Sequence, residues 1–270
     1  MLKALSLLLV AMGAWPLADE STAPKVTTVE VIQGGWGDAS TEEVHKVLLS
    51  VIECIENKSG VTLGVNVRVE SRGGPVLLSR RDPDGSFRIR LQIEDRYWGQ
   101  LIYQFSHEFA HILAGHYKSI GEHFWFDEAV CEAMSFQVLH LLAEKWKHSP
   151  PQEGLRNYAP LLSEYADHIA SLCSPVEESK MAVWYRDNKE ALTKPEQNRS
   201  VVRVMSRHLS VWLQREGWLW ERIPTLGASG VVVEGVIGDS ISGRVRRWLA
   251  DAKPEQQLFV DQMSRCFSGR

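Results

Sequence analysis

The chain has 270 residues, of which 30 are lysine or arginine and 34 are aspartate or glutamate, and its formal net charge is −4. This balance argues against nucleic-acid binding as the main task, because nucleic-acid-binding domains concentrate positive charge. The length is sufficient for one larger domain or for two lobes that share a core. The sequence contains no internal repeats and no low-complexity runs.

The first 18 residues are predicted to be a signal peptide. A basic start is followed by an apolar stretch over residues 4–15 and then by two acidic residues. A stretch of about 12 apolar residues is too short to span a bilayer and suits the core of a signal peptide. The sequence therefore predicts a secreted or periplasmic protein without a stable membrane span. The alternative is an uncleaved leader that anchors the chain to a membrane.

Residues 26–93 are predicted to form a small sheet and one helix. Apolar residues recur at helical spacing over residues 41–57, after Ser40 or Thr41 as the helix cap. A half-buried strand of a hairpin is expected at 86–93, where apolar and polar residues alternate after a turn signal. Further strands are expected at 26–33, 65–69 and 75–79.

Residues 107–111 read His-Glu-Phe-Ala-His, within a helical stretch at 97–116. On a helix, His107 and His111 project from one face and can bind a single metal ion. Glu108 lies about 100° round the helix from His107, close enough to accept a proton from a water molecule that the metal activates. Metal-assisted peptide hydrolysis needs this arrangement. The alternative is two ordinary histidines on a partly buried helix.

A second helix, predicted at 125–146, offers a third ligand. A catalytic zinc site usually takes three protein ligands, and the linker before this helix is short enough to fold it back against the first helix. Glu128 then faces the two histidines. Glu132, one turn later, can hydrogen-bond the free ring nitrogen of a ligand histidine, and it remains an alternative ligand. Cys131 points away from the face of these two glutamates, so we do not expect it to bind the metal.

Over about residues 87–146, this combination resembles the gluzincin group of zinc metallopeptidases, the thermolysin-like and aminopeptidase-like enzymes. The resemblance implies Zn²⁺ as the cofactor, with His107 and His111 as two ligands and Glu128 as the third. It implies Glu108 as the catalytic base. The gap of 16 residues between His111 and Glu128 is slightly shorter than is usual in those enzymes.

The resemblance also implies supporting roles for other residues. Glu132 matches the acidic residue that orients a ligand histidine, and Asp127 stands where the family often has asparagine. The strand at 86–93 is expected to border the cleft and to pair with extended substrate, so that Arg88 or Arg90 would favour acidic residues in a substrate. The alternative is an edge strand with solvated arginines.

Residues 148–270 are predicted to be a mostly helical C-terminal lobe that follows the zinc-site lobe, residues 19–147. The predicted fold class is therefore α+β, with a small mixed sheet packed on a zinc-binding helix pair. By resemblance, the C-terminal lobe closes the cleft and donates a hydrogen bond to the oxyanion of the reaction. The candidate donors are Tyr158, Tyr165, Tyr185 and His208, of which Tyr185 is preferred. Helices are expected at 158–172, 176–191, 196–216 and 242–266.

Four cysteines allow two disulfides in an exported protein, with three possible pairings. They are Cys54, Cys131, Cys173 and Cys266.

Taken together, the sequence predicts an exported zinc metallopeptidase that hydrolyses peptide bonds of a peptide or protein substrate. Two alternatives remain open at this point. One is a metal-bearing but catalytically silent protein that binds a peptide or a cell-envelope partner. The other is a zinc hydrolase of a non-peptide amide. Glu108 argues against a silent protein, since pure binding gives no chemical reason to keep it.

Overall fold

Four strands in the first third of the chain form one mixed sheet. The computed structural model describes residues 26–115, 123–195, 197–229 and 240–268, and the predicted signal peptide lies outside the described residues. The strands are β1 (Thr28–Val31), β2 (Asn66–Ser71), β3 (Val76–Leu77) and β4 (Phe87–Leu91). In the sheet the strand order is β1-β2-β4-β3, with β1 parallel to β2, β2 parallel to β4, and β3 antiparallel to β4.

β4 is an interior strand, because β2 and β3 lie on either side of it. Its alternating sequence buries Phe87, Ile89 and Leu91 on one face and leaves Arg88 and Arg90 on the other. The predicted half-buried hairpin strand is thus confirmed. The expectation that this strand borders the cleft is wrong, because β3 covers that side of it and forms the edge of the sheet.

The first helix, α1 (Thr41–Ser59), connects the parallel strands β1 and β2 and packs against β1. Ser40 is its cap. The Ser40 hydroxyl accepts a hydrogen bond from the backbone N–H of Glu43 at 3.1 Å, and the Glu43 carboxylate accepts one from the backbone N–H of Ser40 at 2.9 Å. This reciprocal pair satisfies two of the donors that a helix start leaves without intrahelical partners.

Two long helices, α2 (Trp98–Leu113) and α3 (Phe124–Trp146), pack against each other and confirm the helices predicted at 97–116 and 125–146. α2 also contacts β3 and β4. Buried residues occur on nearly all sides of α3, as expected for a helix at the centre of a fold rather than at its surface. The indole N–H of Trp146 donates to the Ser50 hydroxyl at 3.1 Å and joins the end of α3 to α1.

The remainder of the described chain is helical, so the α+β fold class is confirmed. The helix predicted at 242–266 is divided in two, because residues Pro254–Gln256 form a short 3₁₀ turn and proline cannot continue an α-helix. The C-terminal helices are α4 (Ala159–Ser171), α5 (Met181–Leu192), α6 (Arg199–Arg215), α7 (Leu226–Ser229), α8 (Ile241–Trp248) and α9 (Gln257–Cys266). Of these, α6 and α4 both pack against α3.

One hydrophobic cluster extends from Val29 to Phe267 and includes residues of both predicted lobes. Helices α2 and α3 are therefore held from two sides, by the sheet with α1 and by the C-terminal helices. Among the described residues, no helix has both the length and the apolar character needed to cross a membrane.

Candidate metal centre

The packing of α3 against α2 brings three potential metal ligands together. The Nε2 atoms of His107 and His111 are 3.1 Å apart. The Nε2 atom of His107 lies 3.3 Å from Oε2 of Glu128, and the Nε2 atom of His111 lies 3.2 Å from Oε1 of Glu128. These are the three residues that the sequence singles out as ligands, and Glu132 is not part of the cluster.

The spacing of these atoms fits a tetrahedral zinc ion. Bonds of about 2.0–2.2 Å to nitrogen and oxygen place tetrahedral ligand atoms about 3.3–3.6 Å apart. The observed separations of 3.1–3.3 Å are close to this range. Two imidazoles and one carboxylate leave a fourth position for water or substrate, which is the composition of catalytic zinc sites and not of structural ones.

The electrostatics of the cluster also favour a cation. Burial alone would lower the pKa of His107, but the hydrogen bond to Glu128 and the nearby carboxylates outweigh burial and raise this pKa to about 9. Burial likewise opposes ionisation of Glu128. The hydrogen bonds from His107 and His111 outweigh it and hold the pKa of this carboxyl well below its usual range. A metal ion would replace the proton that this cluster otherwise attracts.

Glu108 lines the same cleft but faces the edge strand. It is buried, and its Oε2 atom accepts a hydrogen bond from the backbone N–H of Leu77 at 2.7 Å. Because Leu78 donates to Arg88 across the β3–β4 pair, the N–H of Leu77 points away from β4. The outward amide of the edge strand therefore holds the carboxylate that the sequence predicts as the base.

Cys131 contacts the far side of a ligand histidine. Its Sγ atom lies 3.2 Å from Nδ1 of His111. If Nε2 of His111 binds a metal, the neutral ring carries its proton on Nδ1 and donates it to sulfur. Burial raises the pKa of the Cys131 thiol well above its usual range, so the sulfur remains an uncharged and weak acceptor. Sequence reasoning set Cys131 aside because it looked only at the face shared by the two glutamates.

Replacement of Cys131 by alanine is expected to weaken zinc binding by about tenfold, at the lower end of the range for partners of ligand histidines. The loss follows because the substitution removes the acceptor that sulfur offers to the Nδ1–H of His111. Zinc affinity measured by competition with a chromogenic chelator tests this. Cys54→Ala, which removes another buried thiol, should leave the affinity unchanged. Equal affinities for both variants would contradict the role of Cys131.

Glu132 does not orient a ligand histidine, and the role predicted for it is wrong. Its Oε1 atom accepts hydrogen bonds from the Tyr103 hydroxyl at 2.6 Å and from Nε of Arg203 at 2.9 Å. Its Oε2 atom accepts one from the Ser206 hydroxyl at 2.8 Å. The carboxylate therefore joins α2 to α6 beside the cluster, and it is the Cys131 sulfur that lies 3.2 Å from Nδ1 of His111.

Asp127, next to Glu128, forms a buried ion pair with Arg244 of α8. Each side chain is only 1% exposed. Arg244 also donates to the backbone carbonyl of His123 at 2.9 Å. The pair thus fixes the start of α3, which carries Glu128, to a helix more than 100 residues further along the chain. Asp127 supports the site by fixing this turn of helix.

The cluster lies in a cleft of about 330 Å³. The edge strand β3 forms one wall, and α2 and α3 carry the histidines and glutamates. The start of α6 contributes Arg199, Val202 and Arg203 to the lining. Sequence reasoning missed these two arginines. Their only signal was a spacing of four residues in a predicted helix, and the packing of α6 on α3 is what brings them to the cleft.

Tyr185 lies outside the residues that line this cleft. Its ring packs at 6.0 Å from Trp125 and at 5.4 Å from Phe267. The expectation that it donates to an oxyanion is therefore wrong, because its ring belongs to an aromatic cluster between α3, α5 and the end of α9. The other proposed donors, Tyr158, Tyr165 and His208, likewise do not line the cleft.

Arg88 and Arg90 also lie away from the cleft. Nη2 of Arg88 pairs with Asp82 at 2.8 Å, and Nε of Arg90 pairs with Glu70 at 2.8 Å. These pairs cover the outer face of the sheet, opposite the face that packs on the helices. The predicted substrate-binding role of the two arginines is wrong, because the alternation of β4 that buries Ile89 directs both guanidinium groups to the other side.

All four cysteines are buried free thiols, so neither of the two disulfides that the sequence allows is formed in the structure. Comparison of the chain with family models, with curated proteins and with solved structures gave no match.

Proposed function

We propose that this chain is an exported zinc-dependent metallopeptidase of the gluzincin type. The observation that carries the proposal is the convergence of two imidazole Nε2 atoms and the Glu128 carboxylate in a cleft that Glu108 also lines. The signal peptide predicted at residues 1–18 supports export. Two histidines, a carboxylate and a separate glutamate are the minimum set for metal-assisted hydrolysis of an amide.

His107, His111 and Glu128 would hold the ion, which when bound supplies Lewis acidity towards a carbonyl oxygen and lowers the pKa of water. Glu108 accepts the proton of the attacking water and delivers it to the leaving amine. Its hydrogen bond from Leu77 fixes the carboxylate through Oε2 and leaves Oε1 for proton transfer.

The edge strand β3 is the place for an extended peptide to bind. β3 lines the cleft and has no further strand beside it in the described sheet. An added strand can pair with such an edge through its main chain. Since the N–H of Leu77 is engaged by Glu108, the carbonyl of Leu77 is the group that remains for a substrate N–H. β3 thus takes the role that the sequence assigned to residues 86–93.

A peptide library made from a cell digest tests the proposal. Incubation with the zinc-loaded protein should produce new termini, detected by mass spectrometry. Removal of zinc with 1,10-phenanthroline should abolish them, and added zinc should restore them. His111→Ala, purified in the same way, controls for a contaminating protease. An absence of zinc-dependent cleavage would contradict the proposal and favour the silent binding protein.

A further inference from the structure

Arg199 is the one cleft-lining guanidinium among the described residues that makes no ion pair or hydrogen bond. Its side chain is exposed and lines the same cleft as His107, His111 and Glu128. Arg203, one turn later on α6, is by contrast only 16% exposed and is paired with Glu132 at 2.9 Å. Arg203 is therefore held in place by its ion pair with Glu132, whereas the guanidinium of Arg199 is available to bind a ligand.

The position of Arg199 relative to the metal cluster follows from the packing of two helices. Glu132 contacts Arg203, and further along Gln137 donates to Ser210. Contacts that advance in the same direction on both helices show that α3 and α6 run parallel. Arg199 precedes Arg203 by about 6 Å of helix, and Glu128 precedes Glu132 by the same distance. Arg199 is thus level with the metal-ligating turn of α3.

The positive charge of Arg199 is not balanced by the other charges that line the cleft. The described lining residues include three carboxylates, those of Glu108, Glu128 and Glu132. A divalent ion and Arg203 together balance these three charges. Arg199 then adds one positive charge that no lining carboxylate neutralises. Arg199 is also the first residue of α6, where the helix dipole disfavours a cation, so stability of the helix does not explain its presence.

We infer that Arg199 determines substrate specificity by binding a carboxylate of the peptide, either the C-terminal carboxylate or an acidic side chain close to the cleaved bond. The inference rests on the proposed peptidase function and names its substrate class. A guanidinium can bind a carboxylate through two parallel hydrogen bonds. Val202 and Pro195 flank Arg199 as apolar residues of the same wall, so that a bound peptide would shield this contact from water.

The test measures binding without turnover. The probe peptides are four forms of acetyl-Ala-Ala-Xaa, with glutamate or glutamine as the last residue and with a free or an amidated C-terminus. Isothermal calorimetry is carried out on zinc-loaded protein that carries Glu108→Gln. Peptides with the recognised carboxylate should bind at least about tenfold more tightly than the neutral amide, as charge-assisted hydrogen bonds allow. The peptide that ends in glutamine with a free C-terminus carries only the C-terminal carboxylate, so its affinity measures recognition of that group. The amidated peptide that ends in glutamate carries only the side-chain carboxylate, so its affinity measures recognition of the side chain.

Adding Arg199→Gln should abolish this preference and leave the neutral peptide unaffected. Arg199→Lys should retain part of the preference, since it keeps the charge but not the planar fork. Arg265→Gln, at an exposed arginine outside the cleft, is the matched control and should change nothing. Equal binding of all four peptides, no binding of any, or an unchanged preference in Arg199→Gln would overturn the inference.

Failure of the inference and failure of the proposed function give different results. A preference that depends on Arg199, in a protein that cleaves no peptide of the library, would support the carboxylate site and contradict the peptidase. Library cleavage whose preference for acidic residues and for positions near the C-terminus is the same in wild type and in Arg199→Gln would contradict the carboxylate site alone. If Arg199→Gln lowered kcat equally for all peptides without a change in KM, Arg199 would donate to the oxyanion and the specificity role would be overturned.

Discussion

Glu108→Gln is expected to keep the fold and the zinc but to lose turnover by about 10²–10⁴-fold, the usual contribution of a general base. Glutamine has nearly the same size, and its side-chain oxygen can accept the hydrogen bond that Leu77 donates to Glu108. It cannot accept a proton from water. The measurement is the rate of cleavage of a library-derived peptide, with zinc content and thermal unfolding recorded on the same samples.

Glu144→Gln is the matched control, because Glu144 is 72% exposed and forms an ion pair with Lys147, three residues away on the same helix surface. Its turnover should equal that of the wild type. Turnover within a few-fold of the wild type in Glu108→Gln, with zinc retained, would contradict the assignment of Glu108 as the base. Loss of zinc in Glu108→Gln would instead show that this residue belongs to the ligand set.

Asp127→Ala is expected to be the most destabilising single change, by about 3–5 kcal/mol of unfolding free energy, because it leaves the buried Arg244 without its counter-charge. That is a large part of the total stability of about 5–15 kcal/mol that is typical of a folded domain. The corresponding fall in Tm is roughly 6–20 °C for a protein of this size. Thermal unfolding in the presence of a chelator measures it without a contribution from zinc.

Asp261→Ala provides the comparison. It removes an ion pair between Arg246 of α8 and Asp261 of α9, whose side chains are 54% and 49% exposed, and such surface pairs contribute only about 0–1 kcal/mol. The double variant Asp127→Ala/Arg244→Met should recover much of the loss, because no buried charge remains. Equal Tm values for Asp127→Ala and Asp261→Ala would contradict the importance of the buried pair.

Local patterns in the sequence were sufficient to predict the two long helices α2 and α3 and to single out the three residues that come together as candidate ligands. Residues four apart on a helix share a face whatever surrounds them, so His107 and His111 could be paired from their spacing alone. The short linker then brought Glu128 within reach of them. The alternation in residues 87–91 gave the buried face of β4 in the same way.

Features that depend on the order of elements in space could not be predicted. The alternation of β4 does not say which strands flank it, so the sequence could not show that β3, and not β4, forms the edge of the sheet beside the cleft. Glu132 has the right spacing to reach a histidine, but Tyr103 and Arg203 donate to its Oε1 atom and Ser206 donates to its Oε2 atom. Arg199 enters the cleft only because α6 runs parallel to α3, a relation between residues about 70 positions apart that no local period encodes.

The zinc content of the purified protein is the most direct test of the metal site. Elemental mass spectrometry after purification without chelators should find about one zinc per chain in the wild type, as a three-ligand site predicts. Glu132→Ala should also retain zinc, whereas Glu128→Ala should lose it. A wild-type protein that holds no zinc, and that takes up none when zinc is added, would contradict the assignment of His107, His111 and Glu128 as a zinc site.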